Sequence, residues 1–512
     1  MLACWCEVTW LEPQLLCSFS RSSIHGLDGN SREVISGLVE AMVAGDQIRH
    51  FDELWALFRR SGITNPVVVA EQISILLLNR LIEAGALSGG ATSGSQAASQ
   101  AAMDGTEPGR DQPRSVRSVR EDILSRVSGH GAAAAADFAR AVYPHFRNAV
   151  LELDDAKLPR AIELTALLLP DGQRPDVWIM RSLLHRLQNE SSSGIVVTPN
   201  WVVQLLVRLL EPRPGMRIAD PASGACSYFA GIVDSWQSDD LFGSSAQRGS
   251  LHFWGCETNE HLLRIGCVRL LFCGADSFDL QHRDALSASL HDENRRPREY
   301  PFDRVFCTPP FKSSVSHYDI DTQLTRDVKT RSAELLYLLR IFRMLESGGR
   351  AAVVLSDSAL LSNVTANKEV RRQLLETVRL EAVISFPDTT FKPATKITTS
   401  ALIFSAGGYT DHVWFCDLGA IAKENKSTES QASERVAEMF FRGGLTDTGD
   451  RTGAAFRVSK VEIAECGWDL SISRYRQQPD ESPRESPAQI LQRIEELEVR
   501  IQSSLQLIRK ML

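Results

Sequence analysis

One stretch of the sequence limits the possible folds more than any other: Arg217 to Gly231, which reads R-I-A-D-P-A-S-G-A-C-S-Y-F-A-G. It predicts a short strand, a tight glycine-containing loop and a helix in immediate succession. A doubly wound sheet presents a ligand site in this way, at the carboxyl ends of its strands. A second stretch, Phe302 to Phe311 (F-D-R-V-F-C-T-P-P-F), predicts another strand that stops at a Pro-Pro pair. Two such loops at the same edge of one sheet would face each other across a cleft.

Strand and helix patterns alternate around these two stretches. Strands are predicted at Arg217–Ala219, Leu251–Cys256, Arg304–Cys307, Ala351–Leu355, Leu380–Phe386 and Thr399–Phe404. Helices are predicted after Ser227, over Glu260–Cys273 and over Ala333–Leu345. This alternation predicts an α/β fold with a largely parallel sheet and helices on both faces.

The flanking segments have different patterns. Helical spacing of apolar residues predicts an N-terminal helical domain over 1–190, and a stretch at about 88–120, rich in Gly, Ser, Ala and Gln, predicts a disordered insertion. An α/β domain is assigned to 191–420 and a C-terminal extension to 421–480. Over 481–512 apolar residues recur at steps of three and four, which predicts a coiled-coil or partner-binding helix; an amphipathic helix folded back on its own domain is the alternative.

Composition narrows the functional classes. No stretch reaches the roughly 18 consecutive apolar residues of a membrane helix, and the N-terminal residues read poorly as a signal peptide, so we expect a cytoplasmic protein without a membrane partner. The ten cysteines lack metal-site or disulfide spacing, so no metal is expected. The net charge of −8 has the wrong sign for a free-standing DNA binder. If the protein binds DNA, either a basic face or a partner must provide the positive charge that contacts the phosphates. Arginines and lysines do concentrate between 295 and 396.

From about Leu187 to Arg476 the chain resembles the modification (M) subunit of type I restriction-modification systems, an N6-adenine DNA methyltransferase. The motifs that carry the resemblance follow one another in the family's order: a T-P segment, the D-P-A-x-G loop, an acidic strand end, D-x-L, x-P-P-F, G-G-R-A-A-V-V-L and F-P-x-x-x-F. A W-D-L-S-x-x-R-Y segment near the C-terminus resembles the family's D-L-x-x-x-R-Y. The resemblance implies a Rossmann-like, S-adenosylmethionine-dependent methyltransferase sheet.

The same resemblance implies a cofactor site for S-adenosyl-L-methionine. It assigns cofactor binding to Thr198, Pro199, Asp220, Pro221, Ala222, Gly224, Glu257 and Asp284. Gly224 would let the backbone approach the methionine part of the cofactor, and Asp220 would accept from its ammonium. Glu257 would accept from the ribose hydroxyls and Asp284 would contact the adenine amino group.

Catalysis is assigned to Thr308, Pro309, Pro310 and Phe311. The adenine amino group is a poor nucleophile because its lone pair is conjugated with the ring. Family members accept its two N–H bonds with an Asn or Asp oxygen and the first Pro carbonyl, which directs the lone pair at the methyl group. The aromatic residue, here Phe311, stacks on the flipped base. Phe391 is the second candidate base contact, with a core position as its alternative.

Two segments depart from the family pattern. Ala225, Cys226 and Ser227 replace the Thr-Gly-Gly that usually completes the cofactor loop, and Thr308 replaces the expected Asn. A side chain at Cys226 would cost about 1 kcal/mol if the position needs a positive φ, and it could crowd the cofactor. Three hypotheses follow: an active N6-adenine enzyme, a cytosine-N4 enzyme, whose loop is usually Ser-Pro-Pro, and a catalytically degenerate fold that serves as a DNA-binding or assembly module.

Partners are expected under each hypothesis. The substrate would be double-stranded DNA, but the sequence contains no recognition helix or zinc module that could specify a target. In the resembling family a separate specificity subunit does this, and a nuclease subunit can accompany it. The helix predicted from Pro487 to Leu512 is the candidate contact with the specificity subunit.

Overall fold

The computed structural model describes residues 29–84, 116–129, 137–170, 177–190, 195–238, 252–275, 277–287, 301–316, 320–442, 451–477, 491–499 and 501–502. Within these ranges, no helix combines the length and the apolar character needed to cross a membrane. The predicted insertion falls outside them up to residue 115, and its last residues belong to a helix that begins at Val116.

Helices make up the N-terminal part of the described chain, as the apolar spacing predicts. They are α1 (Gly29–Arg60), α2 (Pro66–Glu83), α3 (Val116–Val127), α4 (Asp137–Phe146), α5 (Leu158–Leu168) and α6 (Val177–Asn189). Asn65 caps α2 by accepting the N–H of Val67, and Pro66 occupies the first helical position, where a missing N–H costs nothing. Most of α2 is buried, so this helix is the centre of the helical part.

The sheet part begins with α7 (Asn200–Leu210), β1 (Arg217–Asp220), α8 (Ser227–Ser238), β2 (His252–Glu257), α9 (Glu260–Phe272), β3 (Phe278–His282) and β4 (Phe302–Cys307). It continues with α10 (Ala333–Met344), β5 (Leu345–Ser356), α11 (Asp357–Leu361), α12 (Thr365–Thr377), β6 (Val378–Ser385), β7 (Thr399–Ala406) and β8 (His412–Asp417). It ends with α13 (Leu418–Glu424), α14 (Glu429–Phe441), β9 (Ala455–Ser459), α15 (Lys460–Glu465) and α16 (Ile472–Tyr475).

These strands form one nine-stranded sheet in the order β3-β2-β1-β4-β5-β7-β6-β8-β9. The pairs from β3 to β5 are all parallel, whereas β7 runs antiparallel between β5 and β6, and β9 runs antiparallel to β8. The prediction of a largely parallel sheet with helices on both faces is confirmed. Strands β3, β8 and β9 were not predicted, and β9 lies in the segment assigned to a C-terminal extension.

Side chains of alternate residues in the strands enter two hydrophobic cores, one on each face of the sheet. In β1, Ile218 belongs to the first core and Ala219 to the second. In β4, Phe306 belongs to the first core and Val305 to the second. The first core also contains the buried residues of the N-terminal helices, because α2 packs directly on α9. Helical part and sheet therefore share one core, and the predicted boundary near 190 does not separate two cores.

A buried ion pair ties α2 to α9 within that shared core. The guanidinium of Arg264 in α9 donates to both Glu71 in α2 and Glu260, and its Nε donates to the carbonyl of His145 at 2.8 Å. Nδ1 of His261 lies 2.5 Å from the second oxygen of Glu71. Because a buried charge without its partner is costly, this cluster fixes the N-terminal helices against the sheet.

Candidate active site

The two loops that the sequence singles out lie side by side. Strands β1 and β4 are parallel neighbours, with Ile218 opposite Arg304 and Ala219 opposite Val305. Their carboxyl ends therefore release the D-P-A-S-G loop and the T-P-P-F loop at the same edge of the sheet. The strand order also reverses at this point, with β2 and β3 on one side and β5 on the other. In doubly wound sheets such a reversal is where ligands bind.

The loop after β1 is held by its own first residue and by β2. The buried carboxylate of Asp220 accepts the N–H of Ala222 at 3.0 Å, and the N–H of Ser223 donates to the carbonyl of Cys256 at 2.9 Å. Gly224 has a φ of +52°, and the space that a Cβ would occupy there is open. The backbone at Gly224 therefore faces the cleft with no side chain in front of it.

Glu257, at the end of β2, reaches across to this loop. One carboxylate oxygen accepts the N–H of Gly224 at 2.9 Å and the other accepts the N–H of Asn259 at 2.7 Å. The oxygen that accepts from Asn259 also accepts the hydroxyl of Thr258 at 3.4 Å, so the oxygen that accepts from Gly224 is the one whose second lone pair a ribose hydroxyl could use. The sequence indicated the ribose role alone, and the support that Glu257 gives to the loop was missed.

Burial and neighbouring groups change the pKa of Asp220. Burial raises the pKa of the Asp220 carboxyl to about 8; the N–H of Ala222 acts in the opposite sense, and the nearby charge of Glu257 adds to the rise. Asp220 is therefore mostly protonated at neutral pH in the free protein. A cationic ligand placed beside it would favour the charged form.

Asp284 lies beyond β3, two strands from β1. It is half-buried, and its carboxylate accepts the N–H of Leu286 at 2.8 Å. The preceding residue, Arg283, donates its N–H to the carbonyl of Glu257 at 3.1 Å, which links this turn to the end of β2. The three predicted acidic groups therefore follow the carboxyl ends of three adjacent strands.

Cys226 adopts the left-handed conformation, with a φ of +57°. Its side chain is fully buried and lies against α9, where a Cβ on Gly266 would be 2.7 Å from its Sγ. The side chain therefore occupies the core below the loop, and Gly266 provides its space. The sequence suggested that a side chain at position 226 could crowd the cofactor. In the structure the Cys226 side chain is buried beside Gly266 instead.

Arg269, also on α9, supports the same loop from below. This buried guanidinium donates to the carbonyl of Ala225 at 3.1 Å and to the hydroxyl of Ser227 at 2.9 Å. Ser227 is the first residue of α8, so Arg269 joins the loop to the helix that follows it. Nothing in the local sequence of α9 distinguishes this arginine from a surface residue, and it was not predicted.

Thr308 opens the loop after β4 and is part of a hydroxyl cluster. Its Oγ1 lies 2.7 Å from the phenol oxygen of Tyr228, and Thr198 donates to it at 3.2 Å. A Thr-Pro pair ahead of an apolar helical stretch usually places the Thr as the helix cap and the Pro at the first helical position. In the structure Pro199 is the cap residue and no side chain caps the helix, so the Thr198 hydroxyl is directed at Thr308 instead.

The remaining residues of this loop differ in exposure. Pro309 is buried, Pro310 is exposed and Phe311 is half-buried. The ring of Phe311 packs edge to face against Phe391, with ring centroids 5.1 Å apart. Phe391 is 1% exposed, which favours its core alternative, whereas Phe311 is half-buried and packs against the edge of the same core.

Glu334, at the start of α10, fixes the far end of the loop. Its buried carboxylate accepts the N–H of Lys312 at 3.0 Å, the N–H of Ser356 at 2.6 Å and the hydroxyl of Ser356 at 3.0 Å. The T-P-P-F loop is thereby tied to the end of β5. Reasoning from the sequence missed this residue because a glutamate in the first turn of a helix usually reads as a simple response to the helix dipole.

Three of the arginines between 295 and 396 are buried or half-buried and have their partners within the protein. Arg340 pairs with Asp321 at 3.0 Å, and Arg350 pairs with Glu381 at 2.6 Å. Arg371 is buried and donates to three backbone carbonyls, those of Trp468, Ala359 and Ser362. Arg295, Arg296 and Arg298 lie outside the described residues. Lys312, Lys392 and Lys396 are exposed on the two segments that flank the cleft.

The residues present fit the predicted cofactor. A sulfonium amino acid joined to a nucleoside needs an acceptor for its ammonium, acceptors for ribose hydroxyls and an acceptor for an exocyclic amine. Asp220, Glu257 and Asp284 offer carboxylates in that spatial order, and the open backbone at Gly224 lies between the first two.

Comparison with known proteins places this arrangement among DNA methylases. The model of the N-6 DNA methylase family matches residues 178–484. The methylase subunit of the type I restriction enzyme EcoEI from Escherichia coli is 25% identical over 303 residues, which is 57% of this chain and 60% of that protein. The methylase subunit of EcoKI from E. coli K12 is 27% identical over 259 residues, 46% and 47% of the two chains. The chain thus spans about half of each relative's length.

Solved structures share the fold. A chain from a structural study of assembly and conformational transition in a type I restriction-modification system superposes with a TM-score of 0.62 at 22% identity, covering 92% of this chain and 98% of that one. The modification subunit of a type I restriction enzyme from Vibrio vulnificus superposes with a TM-score of 0.61 at 16% identity, covering 81% and 93%. The expected fold class is confirmed.

Proposed function

Because the chain belongs to the N-6 DNA methylase family, we propose that it transfers a methyl group from S-adenosylmethionine to N6 of adenine in DNA, as the modification subunit of a type I-like restriction-modification or phage-defence complex. The observation that carries this proposal is the adjacency of the cofactor loop and the T-P-P-F loop at the point where the strand order reverses. A methyl donor in the first loop and an amine in the second would meet in one cleft.

The acidic residues at the strand ends hold the cofactor. Asp220 accepts from the ammonium, Glu257 from the ribose hydroxyls and Asp284 from the adenine amine, while Gly224 allows the backbone to approach. Thr198 and Pro199 close the same side, and Pro221 and Ala222 shape the loop. S-adenosylmethionine supplies a methyl group on a positively charged sulfur; its transfer to an amine leaves S-adenosylhomocysteine and releases one proton to water.

The loop after β4 holds the amine that receives the methyl group. The hydroxyl of Thr308 and the carbonyl of Pro309 accept its two N–H bonds, which favours a pyramidal nitrogen with its lone pair free. Phe311 stacks on the flipped base, and Phe391 supports Phe311 from behind at 5.1 Å. Pro310 limits the freedom of the loop. The fit of Cys226 into the space beside Gly266 supports the catalytic hypothesis over the degenerate one, because the substituted loop keeps its backbone open to a ligand.

Partners of this activity are DNA and other subunits. Residues 491–499 and 501–502 are helical, and their side chains are all exposed, including Leu491, Ile494, Leu497 and Ile501. These apolar side chains do not fold back on the sheet domain, which favours the partner-binding alternative for this helix. We propose a specificity subunit as the protein that covers them; a nuclease subunit would join through the assembled complex.

Calorimetric titration of S-adenosylmethionine into the full chain tests the cofactor site without a partner or a target sequence. We expect saturable binding that the Asp220→Ala variant loses. Tritium transfer from labelled S-adenosylmethionine to unmethylated genomic DNA, with the chain isolated together with its native subunits, then tests the reaction. Absence of cofactor binding by both the chain and this complex would overturn the proposal.

A further inference from the structure

Three hydroxyl groups meet where the family usually has an amide. The Oγ1 of Thr308 lies 2.7 Å from the phenol oxygen of Tyr228 and 3.2 Å from the Oγ1 of Thr198. Tyr228 and Thr198 are buried, whereas Thr308 is half-buried. Thr308 is therefore the member of the cluster that can reach a substrate in the cleft, and the other two lie behind it.

Tyr228 is rigidly placed for this contact. It lies in the first turn of α8, directly after the cofactor loop, and is 2% exposed. Its ring stacks on Phe306 in β4, with centroids 5.2 Å apart and an angle of 26° between the ring planes. Burial raises the pKa of the Tyr228 phenol, so the group stays protonated and acts as a hydroxyl rather than a phenolate.

The placement of the protons decides what Thr308 offers to a substrate. A hydroxyl has one proton and two lone pairs. Thr198 donates to Thr308 and so uses one lone pair. If Tyr228 also donated to Thr308, both lone pairs of Thr308 would be used. Thr308 could then only donate a hydrogen bond to the substrate, whereas an N–H group of the substrate needs an acceptor.

The opposite direction leaves an acceptor free. If Thr308 donates to Tyr228, the Thr308 proton is used on the phenol oxygen and Thr198 takes only one of the two lone pairs of Thr308. The second lone pair of Thr308 is then the unused acceptor on the half-buried member of the cluster.

We infer that Tyr228 is a positioning residue, which takes up the Thr308 proton so that the Thr308 oxygen accepts an N–H bond of the substrate amine, the task of the amide oxygen in related enzymes. The inference rests on the proposed methyl transfer and specifies how a threonine can serve in it.

A double-mutant cycle with Tyr228→Phe and Thr308→Asn tests this role. The phenylalanine keeps the ring and its stacking on Phe306 but removes the hydroxyl. We expect Tyr228→Phe to lower kcat for tritium transfer to unmethylated genomic DNA roughly 10- to 100-fold in the native subunit complex, with KM for DNA unchanged. In the Thr308→Asn background the same change should lower kcat less than about 2-fold, because an amide oxygen has no proton to place.

Two further measurements complete the test. The calorimetric Kd for S-adenosylmethionine should be the same with and without Tyr228→Phe, since the inferred role concerns the amine and not the cofactor. Tyr475→Phe is the matched control, because it removes another buried phenol hydroxyl, one that donates to the carbonyl of Asp469 outside the cleft. We expect kcat to stay unchanged in that variant.

The outcomes separate the inference from the proposed function. An equal loss of kcat in both Thr308 backgrounds would show that Tyr228 acts through packing and would overturn the inference alone. A rise in the cofactor Kd that accounts for the whole loss would do the same. If the unaltered complex transfers no methyl group to DNA, both the proposed function and this inference are overturned.

Discussion

At the scale of single residues, Cys226 and Gly266 form a matched pair. A non-glycine residue in the left-handed conformation costs about 1 kcal/mol or more, and Cys226 has a φ of +57°. Its buried side chain recovers part of that cost through contacts in the core, and these contacts depend on the missing side chain at Gly266. The substitution in the cofactor loop is therefore accommodated from a helix about 40 positions away in the sequence.

The contact between Cys226 and Gly266 predicts that the effect of Gly266→Ala on stability depends on the residue at position 226. With Cys226 present the new methyl group would overlap its sulfur, so we expect the free energy of unfolding to fall by about 1–3 kcal/mol. In a Cys226→Gly background the clash is absent, and Gly266→Ala should be neutral or stabilising by up to about 1 kcal/mol, because alanine favours the helix. Urea unfolding of the four proteins measures both effects. Equal destabilisation in the two backgrounds would contradict the pairing.

The raised pKa of Asp220 predicts that cofactor binding releases a proton from its carboxyl. Its pKa of about 8 in the free protein means that the carboxyl is mostly protonated at pH 7. A cofactor ammonium beside it favours the carboxylate, so binding should release a proton at pH 7. Calorimetry in buffers of different ionisation enthalpy measures this release. The Asp220→Asn variant, which cannot ionise, should bind more weakly and release no proton from this position.

The same carboxyl predicts how stability changes with pH. Its folded pKa lies above the unfolded value of about 3.9, so the native state holds more protons between these two values. The contribution of Asp220 to stability is therefore greatest below about pH 4 and declines as the pH rises towards 8. Comparison of urea unfolding for the wild type and Asp220→Asn isolates this slope, which the variant should lack.

At the scale of elements, the T-P-P-F loop depends on a carboxylate from the next helix. Glu334→Gln replaces one accepting oxygen with an NH2 group that faces N–H or O–H donors from Lys312 and Ser356. We expect a loss of about 1–3 kcal/mol in the free energy of unfolding, the usual cost of an unpaired buried polar group. Glu376→Gln makes the same chemical change at an exposed salt bridge with Arg372 and should cost about 0–1 kcal/mol. Equal costs in urea unfolding would refute the role of Glu334.

The strands and loops around the cleft could be predicted from local sequence, but the side chains that hold these loops in place could not. Strands β1 and β4 combine short apolar runs with distinctive turn residues, so Asp220 and Thr308 were placed correctly at the strand ends. Arg269 and Glu334 act across contacts between distant segments, and a single charged residue in a helix carries no sign of such a partner. The antiparallel direction of β7 is likewise set by its neighbours, because an apolar strand has the same pattern in either direction.

At the scale of the whole molecule, the exposed C-terminal helix predicts where assembly occurs. Deletion of residues 487–512 should leave the thermal unfolding midpoint within a few degrees of the full chain, because the described side chains of this helix are exposed. The deleted chain should no longer co-purify with the subunits of the native complex. Ile494→Asp with Leu497→Asp should have the same effect, whereas Glu496→Ala on the other side of the helix should not. Retained assembly after the deletion would exclude this helix as the contact.

The ion pair between Glu71 and Arg264 joins residues 193 positions apart in the chain. During synthesis, α2 leaves the ribosome long before α9, the helix that covers it. At about 5–20 residues per second, the delay is roughly 10–40 s. For that time Glu71 lacks its partners His261 and Arg264, and the face of α2 that packs on α9 is uncovered. The packing of α2 is therefore completed only after α9 has been made, and until then this face is exposed to aggregation.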